Sequence, residues 1–164
     1  MSVICLKIIV GLIIIDCVIF YASDSIQMDT DPHFTIFNTS FWWGAPYLIS
    51  DELKALVVEP KLGGMFYEDW DDGAGAIWGT VTQWKKNEIF EFTGKCGMGG
   101  AVNGVICFTL EGKGSSTLLK LEHDAVGHVT EKTQSGYTHG WNDLLEKRLK
   151  TYVEKGECHG IHKK

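Results

Sequence analysis

The sequence predicts an α+β fold in which a curved antiparallel β-sheet wraps around one long C-terminal α-helix, and three observations predict it. In the stretch 130–155, Tyr137, Trp141, Leu144, Leu145, Leu149, Tyr152 and Val153 fall at steps of four, three, one, four, three and one. That is the spacing of a single apolar face on a 3.6-residue helix. Between about 55 and 125, short alternating segments follow one another, separated by turns rich in Gly, Asn and Asp. Nineteen glycines and twelve per cent aromatics against three prolines suit a sheet that bends and turns tightly.

In chain order, residues 4–22 form a nearly continuous apolar run broken by Lys7 and Asp16. Three readings compete: a secretory signal or membrane anchor, a buried first strand rich in Ile and Val, or an atypical or partly mistranslated segment. The anchor reading must carry Asp16 near its middle, at a cost of about 2.5 to 3.5 kcal/mol in a spanning helix. Residues 23–40 are polar, with a turn at Asp31-Pro32, and are expected to be a connection. At 41–47, FWWGAPY sets four aromatics around a Gly and a Pro, which predicts a turn with its rings across an edge or mouth of the core.

A short strand is expected at 55–59 and a turn at 61–64. In the next strand, 65–70, Phe66, Glu68 and Trp70 share one face. Asp71-Asp72-Gly73 then makes a hairpin. Strict alternation over 76–84 puts Trp78, Thr80, Thr82 and Trp84 opposite Ile77, Gly79, Val81 and Gln83. Further strands are expected at 88–93, 102–110 and 117–125, with turns at 85–87, 96–100 and 112–116. The last of them places Leu119, Leu121 and His123 on one face. Thr130 is the expected helix N-cap, Glu131 follows at the positive end of the dipole, and Gly156 stands at the C-terminal cap. Asp143 with Lys147 and Glu146 with Lys150 are i,i+4 pairs on the wet face.

A chain of 164 residues suits one domain, able to bury roughly 70% of its unfolded surface without metal or disulfides. The expected division is an N-terminal segment 1–40, a domain 41–156 and a tail 157–164 in which Cys158, His159 and His162 fray. A net charge of −6 without a basic stripe argues against nucleic acid as a partner. Five cysteines without C-x-x-C spacing suit reduced thiols in the cytoplasm, while an anchor at 4–22 would instead mean membrane association or secretion.

Four stretches resemble a known family: PKLGGMFYEDW at 60–70, IWGTVTQW at 77–84, LKLEH at 119–123 and GYTHGWNDLLEKRLKTYVE at 136–154. They are similar to the SRPBCC superfamily (START and Bet v 1-like), in its branch homologous to the C-terminal domain of the activator of Hsp90 ATPase. The resemblance covers about 42–155; upstream the spacing is longer than in the family and its short helix pair is missing. It implies a helix-grip fold with an apolar cavity between sheet and helix. It further implies binding of a small hydrophobic molecule or lipid, with two alternatives: an Hsp90 co-chaperone-like interaction domain, or a polyketide cyclase/dehydratase-like enzyme.

No strong catalytic signature is present, neither G-x-S-x-G nor H-E-x-x-H nor a P-loop. Glu68 and His123 are the candidate acid/base residues, because each sits among large apolar neighbours on its strand face. The competing expectation is a pair of structural hydrogen bonds. The expected cavity is lined by Phe66, Glu68, Trp70, Trp78, Phe90, Phe92, Phe108, Leu119, Leu121, His123, Tyr137, Trp141 and Leu145, and the competing expectation is that the aromatics fill a solid core. Gly136 and Gly140, one turn apart on the helix, either let the helix touch a strand or leave room for a ligand. His123 with His128 or His139 lacks metal-ligand spacing, and no metal or cofactor is expected.

Overall fold

The computed structural model describes residues 4–15, 38–113 and 116–161. Seven antiparallel strands form one sheet: β1 (Ile4–Ile15), β2 (Ala55–Val58), β3 (Met65–Asp71), β4 (Ala74–Lys85), β5 (Ile89–Gly94), β6 (Val102–Lys113) and β7 (Ser116–Gly127). Their order is β1-β7-β6-β5-β4-β3-β2, so β2 to β7 are a meander and β1 is added beyond β7. Ile4 pairs with Gly127 and Ile15 with Thr117 across that added edge. Ile4–Ile15 are extended, in keeping with the preference of β-branched residues for such backbone. Residues 16–22 lie outside the described residues, as does most of the expected 23–40 connection. Among the described residues no helix is long and apolar enough to cross a membrane.

The strict alternation expected for β4 is corrected. Its inward positions are Trp78, Gly79 and Val81, with Trp84 half-buried. The reason is two bulges. Phe66 pairs with Gly79 but Tyr67 with Ile77, and Val81 pairs with Phe92 but Gln83 with Glu91, so Trp78 and Thr82 are each an extra residue. Each extra residue shifts the face by one and sharpens the bend of the strand. The β6–β7 ladder runs as far as Lys113 opposite Ser116, so Gly112, Lys113 and Ser116 of the expected 112–116 turn are strand residues, and residues 114–115 lie outside the described residues.

The C-terminal helix comprises α2 (Glu131–Asn142), a π-helical middle (Asp143–Leu149) and α3 (Lys150–Lys155). Thr130 Oγ1 accepts from the Thr133 N–H at 3.1 Å, and Gly156 ends the helix at φ +71°. A uniform 3.6-residue helix was expected, and the π middle corrects it. The wider turn brings residues five apart together, so Arg148 Nε reaches Asp143 Oδ2 at 3.1 Å while Lys147 Nζ stays 3.0 Å from Oδ1. Lys150 lies 3.8 Å from Glu154 rather than in the expected pair with Glu146.

Trp141, Leu144, Leu145, Leu149 and Tyr152 from this helix join Phe66, Phe90, Phe92, Ile106, Phe108, Leu119 and Leu121 from the sheet in one buried cluster. Burying each such side chain contributes about 1.5 to 3 kcal/mol. A short helix α1 (Thr39–Trp42) precedes a bend with a cis Ala45-Pro46 bond. Its rings go deeper than the expected edge position: Trp42 and Trp43 are buried, and Trp43 meets Phe66, Trp78 and Trp141 edge-on at 5.3 to 5.5 Å. The frayed-tail expectation is corrected for 157–161. The His159 and Gly160 N–H groups donate to Phe41 O at 3.0 and 2.8 Å, and Gly160 lies buried where a Cβ would overlap the backbone of Ser40. His162 lies outside the described residues.

Candidate functional site: a tryptophan-floored pocket

Three indoles make a floor. Trp43 follows α1, Trp78 sits at the first bulge of β4, and Trp141 lies near the end of α2. Each N–H is engaged away from that floor: Trp43 Nε1 donates to Tyr47 O at 2.7 Å, Trp78 Nε1 to Glu68 Oε1 at 3.2 Å and Trp141 Nε1 to His123 Nδ1 at 3.2 Å. With the donors spent, the rings present carbon. They border a pocket of about 420 Å³, walled by Pro46, Tyr47, Leu48 and Ile49 on one side. Gly136, Tyr137, Gly140 and Leu144 form the helix wall, Gly97 lies on a further side, and Lys132 and Thr133 stand at the start of the helix.

The wall 44–49 is held from both ends. Arg148 reaches Gly44 O at 3.4 Å and lies over the Tyr47 ring at 5.0 Å from its centre. From below, the Glu68 carboxylate accepts from the Ile49 N–H at 2.7 Å and the Ser50 N–H at 3.2 Å. Opposite, Tyr137 OH donates to Cys96 O at 2.8 Å and pins the glycine-rich loop to the helix. Gly97 adopts φ +78°, and a Cβ there would come within 2.6 Å of the Trp78 ring.

The two helix glycines differ in what they leave. A Cβ on Gly140 would meet the Tyr47 ring at 3.1 Å, so that room is already taken by protein. A Cβ on Gly136 would meet nothing within 4 Å, so the space beside this exposed lining residue is open.

Of the expected cavity residues, Trp78, Tyr137 and Trp141 line this pocket. Phe66, Phe90, Phe92, Phe108, Leu119, Leu121 and Leu145 are packed into the interior instead. Phe66, Phe90, Phe92 and Phe108 border a gap of only about 10 Å³, room for no more than about one water. The physical reason is ring-on-ring packing, with Phe66–Phe92, Phe90–Phe92 and Phe90–Phe108 centroids 5.1 to 6.0 Å apart. Trp70 is half-buried and donates to Glu68 Oε2 at 2.9 Å.

Glu68 and His123 are both 0% exposed, and neither lines the pocket. Glu68 has four N–H donors around its four lone-pair sites, from Ile49, Ser50, Trp70 and Trp78. It is a fully occupied acceptor. His123 accepts from Trp141 at Nδ1, which puts its proton on Nε2, and Nε2 has no partner among the described residues. Burial lowers the His123 pKa to about 4, so the ring is neutral at pH 7. The expected His–Glu couple does not form, because each residue is bonded to a different tryptophan and Trp43 stands between those two.

Burial pushes the Cys96 thiol up to about 12, which leaves it unreactive. Cys96, Cys107 and Cys158 are free thiols, and among the described residues no three His, Cys, Asp or Glu side chains converge on a metal position. The sequence reasoning missed Trp43, Pro46, Tyr47, Leu48, Ile49, Gly97, Lys132, Thr133 and Leu144 as lining residues. The aromatic cluster at 41–47 was their one legible signal.

Known structures share this architecture. Protein CV1439 from Chromobacterium violaceum superposes with a TM-score of 0.58 at 13% identity, covering 93% of this chain and 96% of that one. DynU16, from the dynemicin biosynthetic locus, gives 0.56 at 17% identity over 96% of this chain, which spans about half (49%) of its length. The Aha1 dimer from Colwellia psychrerythraea gives 0.50 at 16% identity, covering 95% and 98%. At these identities the likeness concerns the fold. None of the curated proteins matches the chain. The family model for activator of Hsp90 ATPase homolog 1-like protein matches residues 42–154. That match runs from Trp42 beside the pocket floor to the last turn of α3, well over half of the sequence, and by it the chain belongs to the family of activator of Hsp90 ATPase homolog 1-like proteins.

Proposed function

We propose that the helix-grip domain at 41–156 binds one small hydrophobic molecule, such as a lipid or a flat apolar compound, in the tryptophan-floored pocket, and does so without catalysis. The observation that carries this is the floor itself. Three indoles face about 420 Å³ of space with every N–H engaged elsewhere, in a volume within the roughly 300–1,000 Å³ typical of ligand sites. Neither titratable candidate reaches that space, so an acid/base role as in a polyketide cyclase/dehydratase has no geometric support. No cofactor is part of the reading. Three free thiols support a cytoplasmic setting.

The test is titration with N-phenylnaphthylamine, a neutral probe whose fluorescence rises in apolar surroundings, against the wild type and Gly136→Trp. Gly136 lines the pocket and is unobstructed, so an indole there has room to cover the site without disturbing the core. One saturable site in the wild type and its loss in Gly136→Trp, at unchanged thermal midpoint, is the expected result. No binding by the wild type, or equal binding by the variant, would overturn the reading.

A second reading has an observation of its own. The interior between sheet and helix is packed, as suits a domain whose surface meets a protein partner, and the family description names the Hsp90 ATPase. Calorimetric titration against an Hsp90-type chaperone tests it, with measurable heat of binding expected and a flat trace counting against it.

A further inference from the structure

Lys132 is the one charged side chain among the residues lining the pocket. It makes no ion pair among the described residues, although the chain is acidic and carries a net charge of −6. Its position also runs against local preference. It is the second residue of α2, and the positive end of a helix disfavours a cation by about 0.3 to 1 kcal/mol. Glu131, which suits that end, is not among the lining residues. Lys132 is exposed, so its ammonium stands in water at the rim of an otherwise apolar pocket.

Resting on the binding reading above, we propose that the natural ligand is an organic acid. Its apolar body lies on Trp43, Trp78 and Trp141, and its anionic group lies at the mouth beside Lys132. A neutral apolar molecule would gain nothing from the Lys132 charge. A carboxylate or sulfonate would gain a charge-assisted hydrogen bond from it.

Two probes with the same apolar body separate the inference from the reading on which it rests. Anilinonaphthalene sulfonate carries an anionic group and N-phenylnaphthylamine does not. Lys132→Gln is expected to weaken the sulfonate about threefold to tenfold more than the neutral probe at low salt, Lys132→Glu weakening the sulfonate further. The wild-type preference for the sulfonate should shrink as salt rises. Equal losses for both probes, or none for the sulfonate, overturn the acid inference while leaving an apolar pocket in place. Failure of the neutral probe to bind the wild type, or an ineffective Gly136→Trp, overturns the pocket reading itself. Displacement of the sulfonate by dodecanoate but not dodecanol points to acyl-chain acids, and displacement by naphthoate but not naphthalene points to aromatic acids. If neither acid surpasses its neutral counterpart, the inference is contradicted.

Discussion

Glu68 and His123 are two buried polar residues with opposite accounts. Glu68 is surrounded by donors. Removing its carboxylate in Glu68→Ala leaves two indole and two backbone N–H groups without their acceptor, and should cost about 3 to 5 kcal/mol, read as a lowered denaturant midpoint at constant slope. The same change frees residues 49 and 50 from below, so probe affinity should fall with stability. His123 is neutral. In an unfolded chain it takes up a proton near pH 6.5, whereas the folded chain refuses it until about pH 4. Stability is therefore fully present above pH 6.5 and falls as pH drops through that window, by about 3 kcal/mol from this residue. His123→Asn, which keeps an acceptor for Trp141, should flatten that part of the curve; equal slopes for both proteins between pH 7 and 4.5 would refute it. Strand alternation made the burial of both residues legible in the sequence. Their partners were not: two of the four bonds that occupy Glu68 come from a loop 18 and 19 residues upstream, with no period to announce them.

At the scale of elements, the helix was the most legible feature and its middle the least. The 3.6-residue spacing and both caps match the structure, since capping and apolar periodicity are local. Thr130→Ala should accordingly cost about 1 kcal/mol in thermal stability. The π turn depends on how Arg148 reaches Asp143 and the 44–47 bend, which is tertiary information. In β4 the bulges at Trp78 and Thr82 reversed the expected faces for the same reason: register comes from the partner strands, not from β4 alone. Gly136 belongs to this scale too. Because it is helical, exposed and unobstructed, Gly136→Ala should stabilise the protein by about 0.5 to 1 kcal/mol and still bind probe, whereas Gly136→Trp should not bind it.

Over the whole molecule, the sheet, the closing helix and the meander were legible because each rests on repeated local signals. The position of the pocket was not. An apolar run does not reveal whether facing aromatics fill the space between layers or stop short of it. Here the phenylalanines fill it, and the opening lies where the start of the helix, the 44–49 wall and the glycine-rich loop meet. The chain has six tryptophans, and their indole N–H signals form a separate group in a nitrogen–proton correlation spectrum. Titrating N-phenylnaphthylamine while following that group is the most direct test of a tryptophan-floored site. The account predicts saturable shifts at Trp43, Trp78 and Trp141, with the Gly97 and Gly136 amides, and unmoved signals at Trp42, Trp70 and Trp84. Shifts confined to the latter three, or none at saturating probe, would contradict it.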